Sequence, residues 1–364
     1  MPADGKARIG IIGCGGIARG SHGPGYVRLQ EAGRCELVAC CDVVPDVAAA
    51  FGRDFGVPRV FTDYRELLAV DGLDAVSIAT PPFAHRDTTV DALLAGKHVL
   101  CEKPMAMNVA EAEEMLAAAR RSGRVLTIGH GSRFAPEALA IKRRIDAGDL
   151  GDIYFARASR LRSRGVPARG VFTSKTRNGG GPLIDIGVHA LDLTVWLMGN
   201  PAPVGVFGAT YDALAHREGM AAQNRSSWGP FDPQRYDVED LCTGLIRFAN
   251  GATLFLESSW LLQQPEVEVR RTDVYGTAGS ASVEPLRIVV DDGAGMRDVT
   301  PPDLALAGGR GAAGGNFVRL ERFVDCILGQ AVPLVRPEES LNIQRIIDAL
   351  YRSATTGQAV EIRE

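Results

Sequence analysis

The run from Gly179 to Asp192 has residue types and spacing suited to proton transfer. Asp185, His189 and Asp192 stand at i, i+4 and i+7 among apolar residues. On a helix these positions share one face, where a carboxylate can orient an imidazole and raise its basicity. Histidine has an ordinary pKa of about 6.5, which suits proton transfer at neutral pH. The run therefore predicts either an acid–base pair or a hydrogen-bonded pair in a buried core.

A positive charge, Lys103, follows a predicted buried strand at residues 98–101. Pro104 restricts the backbone of Lys103 to extended conformations, which fixes the direction of its side chain. A cation held there could stabilise an oxygen that gains negative charge, although a surface lysine is the ordinary alternative. No third His or Cys stands at ligand spacing from Asp185 and His189, so we expect no metal.

A glycine-rich turn near the amino terminus has the form G-x-G-x-x-A, directly after a predicted strand and at the start of a helix. Gly13 permits the tight turn, Gly15 lets the backbone approach a pyrophosphate, and Ala18 lets helix and strand pack closely. The helix amino terminus would offer free N–H groups to phosphates. The residues expected to contact a dinucleotide here are Gly13, Gly15, Gly16 and Ile17.

An acidic residue, Asp42, ends the second predicted strand. A carboxylate there can accept hydrogen bonds from both hydroxyls of an adenosine ribose, or it can cap the next helix. Val43 and Val44 follow with no Arg or Lys beside them, so a 2′-phosphate would be repelled. The sequence therefore predicts NAD rather than NADP.

Further candidate residues follow the next predicted strands, at the edge where ligands of open α/β sheets bind. They are Thr80 and Pro81 after strand 75–79, Glu102 and Lys103 after strand 98–101, and His130 after strand 125–128. His85 has two interpretations of equal weight, a helix cap or a cofactor contact.

Two kinds of patterning divide the chain. Residues 1–130 alternate short apolar runs with helical stretches, which predicts a doubly wound Rossmann domain with strands at 9–12, 37–41, 59–61, 75–79, 98–101 and 125–128. In that domain Asn108 and Glu111 form a capping box for a helix at 109–121. Residues 131–364 predict an α+β domain for substrate binding and oligomerisation.

The second domain begins with a predicted helix at 136–147, followed by an open, mostly antiparallel sheet with strands at 153–161, 204–211, 241–248, 253–260 and 267–275. Asn250-Gly251 predicts a type I′ hairpin turn between two of these strands. Residues 307–315 predict a flexible glycine-rich loop. Closing helices at 317–328 and 338–355 could pack on either domain.

Composition excludes several classes of partner. The 364 residues carry a net charge of −4, whereas nucleic-acid binding needs a concentrated basic face. Seven cysteines form no C-x-x-C pair, which favours reduced thiols in a cytoplasm. No apolar stretch reaches the roughly 20 residues of a membrane-spanning helix, and no secretory signal precedes the first strand. We expect a cytoplasmic protein with a small-molecule substrate.

The motifs together resemble the glucose-fructose oxidoreductase, inositol dehydrogenase and MocA family of NAD(P)-dependent sugar oxidoreductases. GCGGIA, ATPPFAH, CEKPMAM and GGGPLIDIGVHALD occur in the family's order and spacing. Similarity continues through DVEDLCTGLIRFANGATLFLESSW and VYGTAGSASVEP, so it covers nearly the whole chain. One departure is Thr80-Pro81-Pro82, where the family often has Thr-Pro-Asn, and it removes an amide that could contact the cofactor.

The resemblance implies a catalytic group of Lys103, Asp185 and His189. His189 would donate or accept the proton, Lys103 would polarise the reacting oxygen, and Asp185 would bind a neighbouring hydroxyl or orient His189. It also implies that Glu102 lies near the nicotinamide ribose, Thr80 near the nucleotide, and segment 162–175 beside the substrate. The residues expected to face the substrate are Lys103, His130, Arg162, Asp185 and His189. Pairing through the outer face of the open sheet would give a homodimer or homotetramer.

Three functions fit these expectations. The first is a dehydrogenase or reductase acting on a secondary alcohol or ketone of a sugar or cyclitol derivative. The second is an NAD-dependent glycosidase that oxidises its substrate transiently and cleaves it by elimination. The third is a nucleotide-sensing protein, which would need the glycine turn but not Lys103, Asp185 and His189. The sequence favours the first.

Overall fold

The computed structural model describes residues 5–225, 227, 229–305 and 311–363. The chain forms two compact units. The first comprises residues up to 131 together with 313–341, and the second comprises 132–312 together with the residues from 342 onward. The predicted fold class, a Rossmann parallel sheet plus a mostly antiparallel sheet, is confirmed.

The first unit contains a six-stranded parallel sheet in the order β3-β2-β1-β4-β5-β6. Its strands are β1 (Ala7–Ile12), β2 (Cys35–Cys41), β3 (Arg59–Phe61), β4 (Ala75–Ile78), β5 (His98–Cys101) and β6 (Leu126–Ile128). Its helices are α1 (Gly23–Glu31), α2 (Pro45–Phe55), α3 (Tyr64–Leu68), α4 (His85–Leu94) and α5 (Val109–Ser122). The strand order reverses between β1 and β4, so the carboxyl ends of these strands form the crevice where dinucleotides bind.

Asn108 caps α5 as predicted, but the return bond of the capping box differs, because Glu111 accepts from the Asn108 side chain and not from its backbone N–H. Oδ1 of Asn108 accepts from the backbone N–H of Glu111 at 3.0 Å, and Oε1 of Glu111 accepts from Nδ2 of Asn108 at 3.1 Å. Gly123 ends the helix with φ +63°, a conformation that glycine adopts without strain.

The second unit contains a nine-stranded sheet in the order β14-β13-β12-β11-β7-β10-β9-β8-β15. The strands are β7 (Ile153–Arg162), β8 (Pro203–Tyr211), β9 (Leu241–Phe248), β10 (Thr253–Ser259), β11 (Glu268–Gly276), β12 (Gly279–Val283), β13 (Leu286–Asp291), β14 (Met296–Asp298) and β15 (Val360–Glu361). Only β7 and β10 pair in parallel among these strands. The helices up to residue 305 are α6 (Pro136–Asp146), α7 (Lys175–Asn178), α8 (Val188–Leu197) and α9 (Pro302–Ala305).

The hairpin between β9 and β10 is present, but the predicted type I′ turn is wrong. Gly251 has φ +86°, whereas Asn250 is not among the described non-glycine residues with positive φ, and a type I′ turn needs both. The carbonyl of Phe248 accepts from the N–H of Gly251, and the N–H of Phe248 donates to the carbonyl of Ala252. This is a three-residue loop with glycine in the left-handed position.

The predicted loop at 307–315 is also partly wrong. Helix α10 (Gly311–Ile327) already includes residues 311–315, and residues 307–310 lie outside the described chain. Leu320, Phe323 and Val324 of α10 are buried in the core of the first unit, so this helix completes the Rossmann core. The last helix is α11 (Pro337–Thr356). Among the described helices, none is long and apolar enough to span a bilayer.

Candidate active site

The glycine-rich turn after β1 fits the pyrophosphate of a dinucleotide. Gly13 has φ +90°, and a Cβ there would lie 2.7 Å from the backbone of Ala79, so only glycine fits. A Cβ on Gly15 or Gly16 would meet nothing within 4 Å, so the backbone faces open space there. Close backbone approach by a phosphate is therefore sterically free at these two residues.

Asp42 ties the end of β2 to this turn. Its Oδ2 accepts from the backbone N–H of Cys14 at 2.9 Å, and its Oδ1 accepts from that of Val44 at 2.9 Å. The N–H of Gly13 also donates to the carbonyl of Cys41 at 2.8 Å. These bonds fix the carboxylate beside the glycine turn, where an adenosine ribose would lie. Val43 is 84% exposed and adds apolar surface next to it.

Glu102, after β5, belongs to a buried network. Its Oε1 lies 2.8 Å from Nε2 of His22 and accepts from Nη1 of Arg319 at 2.7 Å. Nδ1 of His22 lies 2.8 Å from Oγ of Ser77. Burial would raise the pKa of Glu102, but the charge of Arg319 and the hydrogen bond from His22 outweigh it and hold this pKa well below the ordinary 4.5. Glu102 is therefore an anion at neutral pH.

The sequence did not predict His22 or Arg319. His22 lies on a π-helical turn, Ala18–His22, that follows the glycine turn, and such turns occur frequently at functional sites. Arg319 lies on α10, 217 residues after Glu102. No local pattern links residues so far apart, so only the packing of α10 on the Rossmann core brings them together.

Lys103 is partly exposed in a stretch that is otherwise buried. Between Val99 and Ala106, all the residues except Lys103 are buried. The N–H of Lys103 donates to Oε2 of Glu102 at 3.3 Å, and the Lys103–Pro104 peptide bond is cis. Lys103 is therefore the residue of this stretch that keeps part of its surface open to solvent.

His85 joins the loops that follow β4 and β5. Its Nδ1 lies 2.8 Å from the carbonyl oxygen of Pro104, and its Nε2 lies 2.9 Å from that of Thr80. Burial lowers the pKa of His85, and the two carbonyls only partly offset this. Both ring nitrogens face carbonyl oxygens outside α4, and Ala84 occupies the N-cap position, so the cap interpretation is wrong. Thr80 keeps a buried hydroxyl without a hydrogen-bond partner in the described chain, which is available to a nucleotide.

Asp185 and His189 stand out in the same way as Lys103. From Gly181 to Met198 they are the partly exposed residues, and all others are buried. Asp185 lies on a second π-helical turn, Leu183–Gly187, which runs directly into α8. Oδ2 of Asp185 accepts from Nε1 of the buried Trp260 at 3.2 Å.

The π-helical turn that carries Asp185 is anchored at its start by Glu239. Oε2 of Glu239 accepts from the N–H of Gly181 at 2.9 Å, and Oε1 accepts from the hydroxyl of Tyr351 at 2.9 Å. Burial raises the pKa of Glu239, although these bonds partly offset the shift. Glu239 therefore fixes the backbone at the start of the π-helical turn that carries Asp185.

Asp192 departs from the predicted polar stripe. It is fully buried, and its carboxylate accepts from Nη2 and Nε of Arg133 at 2.6 and 2.9 Å. Arg133 is also fully buried. A bidentate pair of this kind satisfies both charges within the core. Asp192 therefore stabilises the packing of α8 and does not lie on its partly exposed face.

Comparisons with known proteins give the family. A model described as an oxidoreductase family with an NAD-binding Rossmann fold matches residues 7–130, and a GFO/IDH/MocA C-terminal domain matches residues 138–282. The chain is 34% identical over 355 residues to D-glucoside 3-dehydrogenase of Escherichia coli K12, covering 98% of this chain and 97% of that protein. The chain belongs to the Gfo/Idh/MocA oxidoreductase family.

Two more similarities span this Gfo/Idh/MocA chain. D-apiose dehydrogenase of Paraburkholderia graminis is 28% identical over 363 residues, which cover 97% of this chain and 89% of that protein. The crystal structure of an oxidoreductase domain protein from Kribbella flavida is 26% identical, with a TM-score of 0.83 over 99% of this chain and 100% of that chain. The predicted family, enzyme class and NAD cofactor are confirmed.

Two other expected substrate residues of this Gfo/Idh/MocA protein have defined surroundings. His130, after β6, is 1% exposed. Nε of Arg162 lies 3.4 Å from Oε1 of Glu268, and its Nη1 donates to the carbonyl of Gly165 at 3.3 Å. Their roles toward substrate stay predictions. In the part of the chain that the structure describes, no group of three His, Cys, Asp or Glu is placed to hold a metal ion.

Proposed function

We propose that this protein transfers a hydride between NAD and a secondary alcohol or ketone of a sugar or cyclitol derivative. The observation that carries the proposal is the exposure pattern of Lys103, Asp185 and His189, which are polar exceptions in otherwise buried stretches. Polar side chains that reach solvent from an otherwise buried stretch are candidates for chemistry, because a ligand can contact them there. The D-glucoside and D-apiose dehydrogenases among its relatives support a sugar as substrate.

Each of the three residues has a distinct task in this proposal. His189 removes the hydroxyl proton during oxidation and returns it during reduction. Lys103 stabilises the oxygen as negative charge develops on it. Asp185, oriented by the indole of Trp260, binds a neighbouring hydroxyl or orients the ring of His189. NAD, when bound, supplies the hydride acceptor or donor.

The cofactor contacts form part of the same proposal. The glycine turn binds the pyrophosphate, Asp42 binds the adenosine ribose, and the buried hydroxyl of Thr80 is available to the nucleotide. Glu102 reaches the nicotinamide ribose as an anion. The full proposed set is Gly13, Gly15, Gly16, Ile17, Asp42, Thr80, Pro81, His85, Glu102 and Lys103, and the proposed substrate set is Lys103, His130, Arg162, Asp185 and His189.

We also propose a homodimer or homotetramer that works in the cytoplasm. Phe207, Leu245 and Phe255 are register partners on β8, β9 and β10 and are 54%, 45% and 41% exposed. A row of exposed apolar side chains across a sheet is typical of an interface. All seven cysteines are buried free thiols, which fits a reducing compartment.

The experiment is a screen of sugars, glycosides and cyclitols with NAD, followed by NADH absorbance and by release of the aglycone. Net NADH that accumulates with at least one compound is the expected result. Glycoside cleavage without net NADH would replace the proposal with the glycosidase. Tight NAD binding without turnover of any compound would replace it with the nucleotide sensor.

A further inference from the structure

A polar pocket of about 330 Å³ opens in the second unit, and its lining contains none of the individual residues proposed above for the cofactor or the substrate. Two arginines, Arg164 and Arg225, and three glutamines, Gln223, Gln263 and Gln264, account for most of its lining. No Asp or Glu is among the described residues that line it. The pocket therefore gathers positive charge and amide groups without a built-in counter-charge.

Arg164 is held rigidly, but only by neutral oxygens. Its Nη1 donates to the carbonyls of Ser163 and Leu262, and its Nη2 donates to Oε1 of Gln263 at 2.8 Å. The salt bridges described for neighbouring arginines join Arg162 to Glu268 and Arg235 to Asp232, and neither involves Arg164 or Arg225. The guanidinium of Arg164 is thus oriented while its charge stays available to a ligand.

The second arginine is held next to the first by Asn224. Nδ2 of Asn224 donates to the carbonyls of Val166 and Gly229 at 3.0 and 2.7 Å, and its Oδ1 accepts from the N–H of Val166 at 3.0 Å. The N–H of Arg225 then donates to the carbonyl of Arg164 at 3.3 Å. The backbones of the two arginines are therefore joined at one wall of the pocket, and both residues line it. An anion bound there would interact favourably with both positive charges.

The glutamines add hydrogen-bonding groups of both kinds. Oε1 of Gln263 accepts from Arg164, which leaves its NH₂ group to donate elsewhere. Nε2 of Gln264 donates to the carbonyl of Glu266 at 3.1 Å, which leaves its Oε1 as an acceptor. Guanidinium and amide donors suit a carboxylate or phosphate, and the acceptor suits a hydroxyl beside it.

The pocket begins one residue beyond the Asp185–Trp260 pair. Arg164 forms a β-bridge with Leu261, the residue after Trp260. The N–H of Gly165 donates to the carbonyl of Trp260 at 2.8 Å, while the indole of Trp260 donates to Asp185. Backbone contacts therefore connect the wall of the pocket directly to the residue that orients Asp185.

We propose that this pocket binds an anionic substituent, a carboxylate or a phosphate, on the sugar substrate. The proposal rests on the proposed function, because it names the class of sugar that the same site accepts. It makes Arg164 and Arg225 specificity-determining residues, whereas Lys103, Asp185 and His189 carry the chemistry.

The test compares kcat/KM for methyl glucoside, its 6-uronic acid and its 6-phosphate in the wild type and in Arg164→Gln, Arg225→Gln and Arg235→Gln. Arg235 is a matched control, since its side chain is 86% exposed, pairs with Asp232 and lies outside the pocket. We expect the wild type to favour one anionic sugar by at least about tenfold. Arg164→Gln and Arg225→Gln should lose that preference but keep the wild-type kcat/KM for the neutral glucoside. Arg235→Gln should keep both the preference and the kcat/KM for the neutral glucoside.

Equal kcat/KM for the neutral and both anionic sugars in the wild type would overturn the pocket proposal and leave the proposed function standing. If none of the three glucosides is oxidised, the wider screen of sugars and cyclitols decides the proposed function, and calorimetry with the uronic acid and the 6-phosphate tests the pocket directly. If either anionic sugar binds to the wild type and to Arg235→Gln but not to Arg225→Gln, the pocket proposal is supported. If neither anionic sugar binds to the wild type, the pocket proposal is overturned.

Discussion

The indole N–H of Trp260 donates to Oδ2 of Asp185 at 3.2 Å, and the indole itself is fully buried. Tyr236 packs edge-on against it, with ring centroids 6.4 Å apart. Both rings belong to an apolar cluster with Phe231 and Leu261. A rigid aromatic core therefore orients a carboxylate that lies one helical turn from His189.

Replacing Trp260 with Phe removes this donor and keeps an aromatic ring. We expect kcat to fall by about tenfold, the usual effect of losing one hydrogen bond to a charged group, with unchanged affinity for NAD. Steady-state kinetics and a fluorescence titration of NAD measure both values. Trp196→Phe is the control, because Trp196 is a buried indole of α8 that contacts Arg133 and Lys142. A wild-type kcat in Trp260→Phe would show that this bond does not position Asp185.

The anion of Glu102 should make stability depend on pH. Its pKa is well below 4.5 when folded and about 4.5 when unfolded. Its stabilisation is therefore complete above about pH 4.5 and declines as the pH falls toward the folded pKa, because the unfolded chain takes up the proton first.

Glu102→Gln should therefore unfold more easily than the wild type at neutral pH, by about 3–5 kcal/mol, because Arg319 keeps a buried and unpaired charge. The difference in unfolding free energy between Glu102→Gln and the wild type should become smaller below about pH 4.5. Urea unfolding from about pH 7 to about pH 3.5 measures it. A difference that stays constant over this range would contradict the assignment of Glu102 as a buried anion.

The buried pair of Asp192 and Arg133 should support α8. Asp192→Asn leaves the guanidinium of Arg133 without its counter-charge, so we expect a loss of about 3–5 kcal/mol in unfolding free energy. Asp149→Asn, which breaks a partly exposed pair with Arg144, should cost at most about 1 kcal/mol. Equal losses in the two variants would show that burial of the first pair has no energetic consequence.

The carboxylate of Asp42 should set the preference for NAD. Asp42→Ser removes the acceptor for the ribose hydroxyls and the charge that repels a 2′-phosphate. We expect the NAD-to-NADP ratio of kcat/KM to fall by at least about tenfold. Asp46→Ser, an exposed change in the first turn of α2, is the control. An unchanged ratio in Asp42→Ser would remove Asp42 from the ribose site.

The strands of the Rossmann unit could be predicted because each is a short apolar run followed by a turn signal. Their bounds agree with the structure to within two residues. Strands β12 to β15 were not predicted. β12 is built mostly from small residues, β14 is fully exposed, and β15 has only two residues. The hairpin was located correctly, but its type depends on the backbone angle of Asn250, which composition does not determine.

The site could be predicted only where residue type and local spacing carry the information. Lys103, Asp185 and His189 were proposed in this way, and their catalytic roles stay predictions. His22 and Arg319 were missed because they meet Glu102 from 80 and 217 residues away. Asp192 was assigned to the open face because the buried partner, Arg133, lies 59 residues earlier.

The central claim is that Lys103 and His189 carry out the chemistry and do not merely hold the fold or the cofactor. The most direct measurement is kcat for NADH formation in Lys103→Ala and His189→Ala, with the NAD dissociation constant determined on the same samples. We predict that kcat falls by at least about a hundredfold in each variant, while the affinity of His189→Ala for NAD changes by less than about threefold. Wild-type kcat in both variants would contradict the assignment.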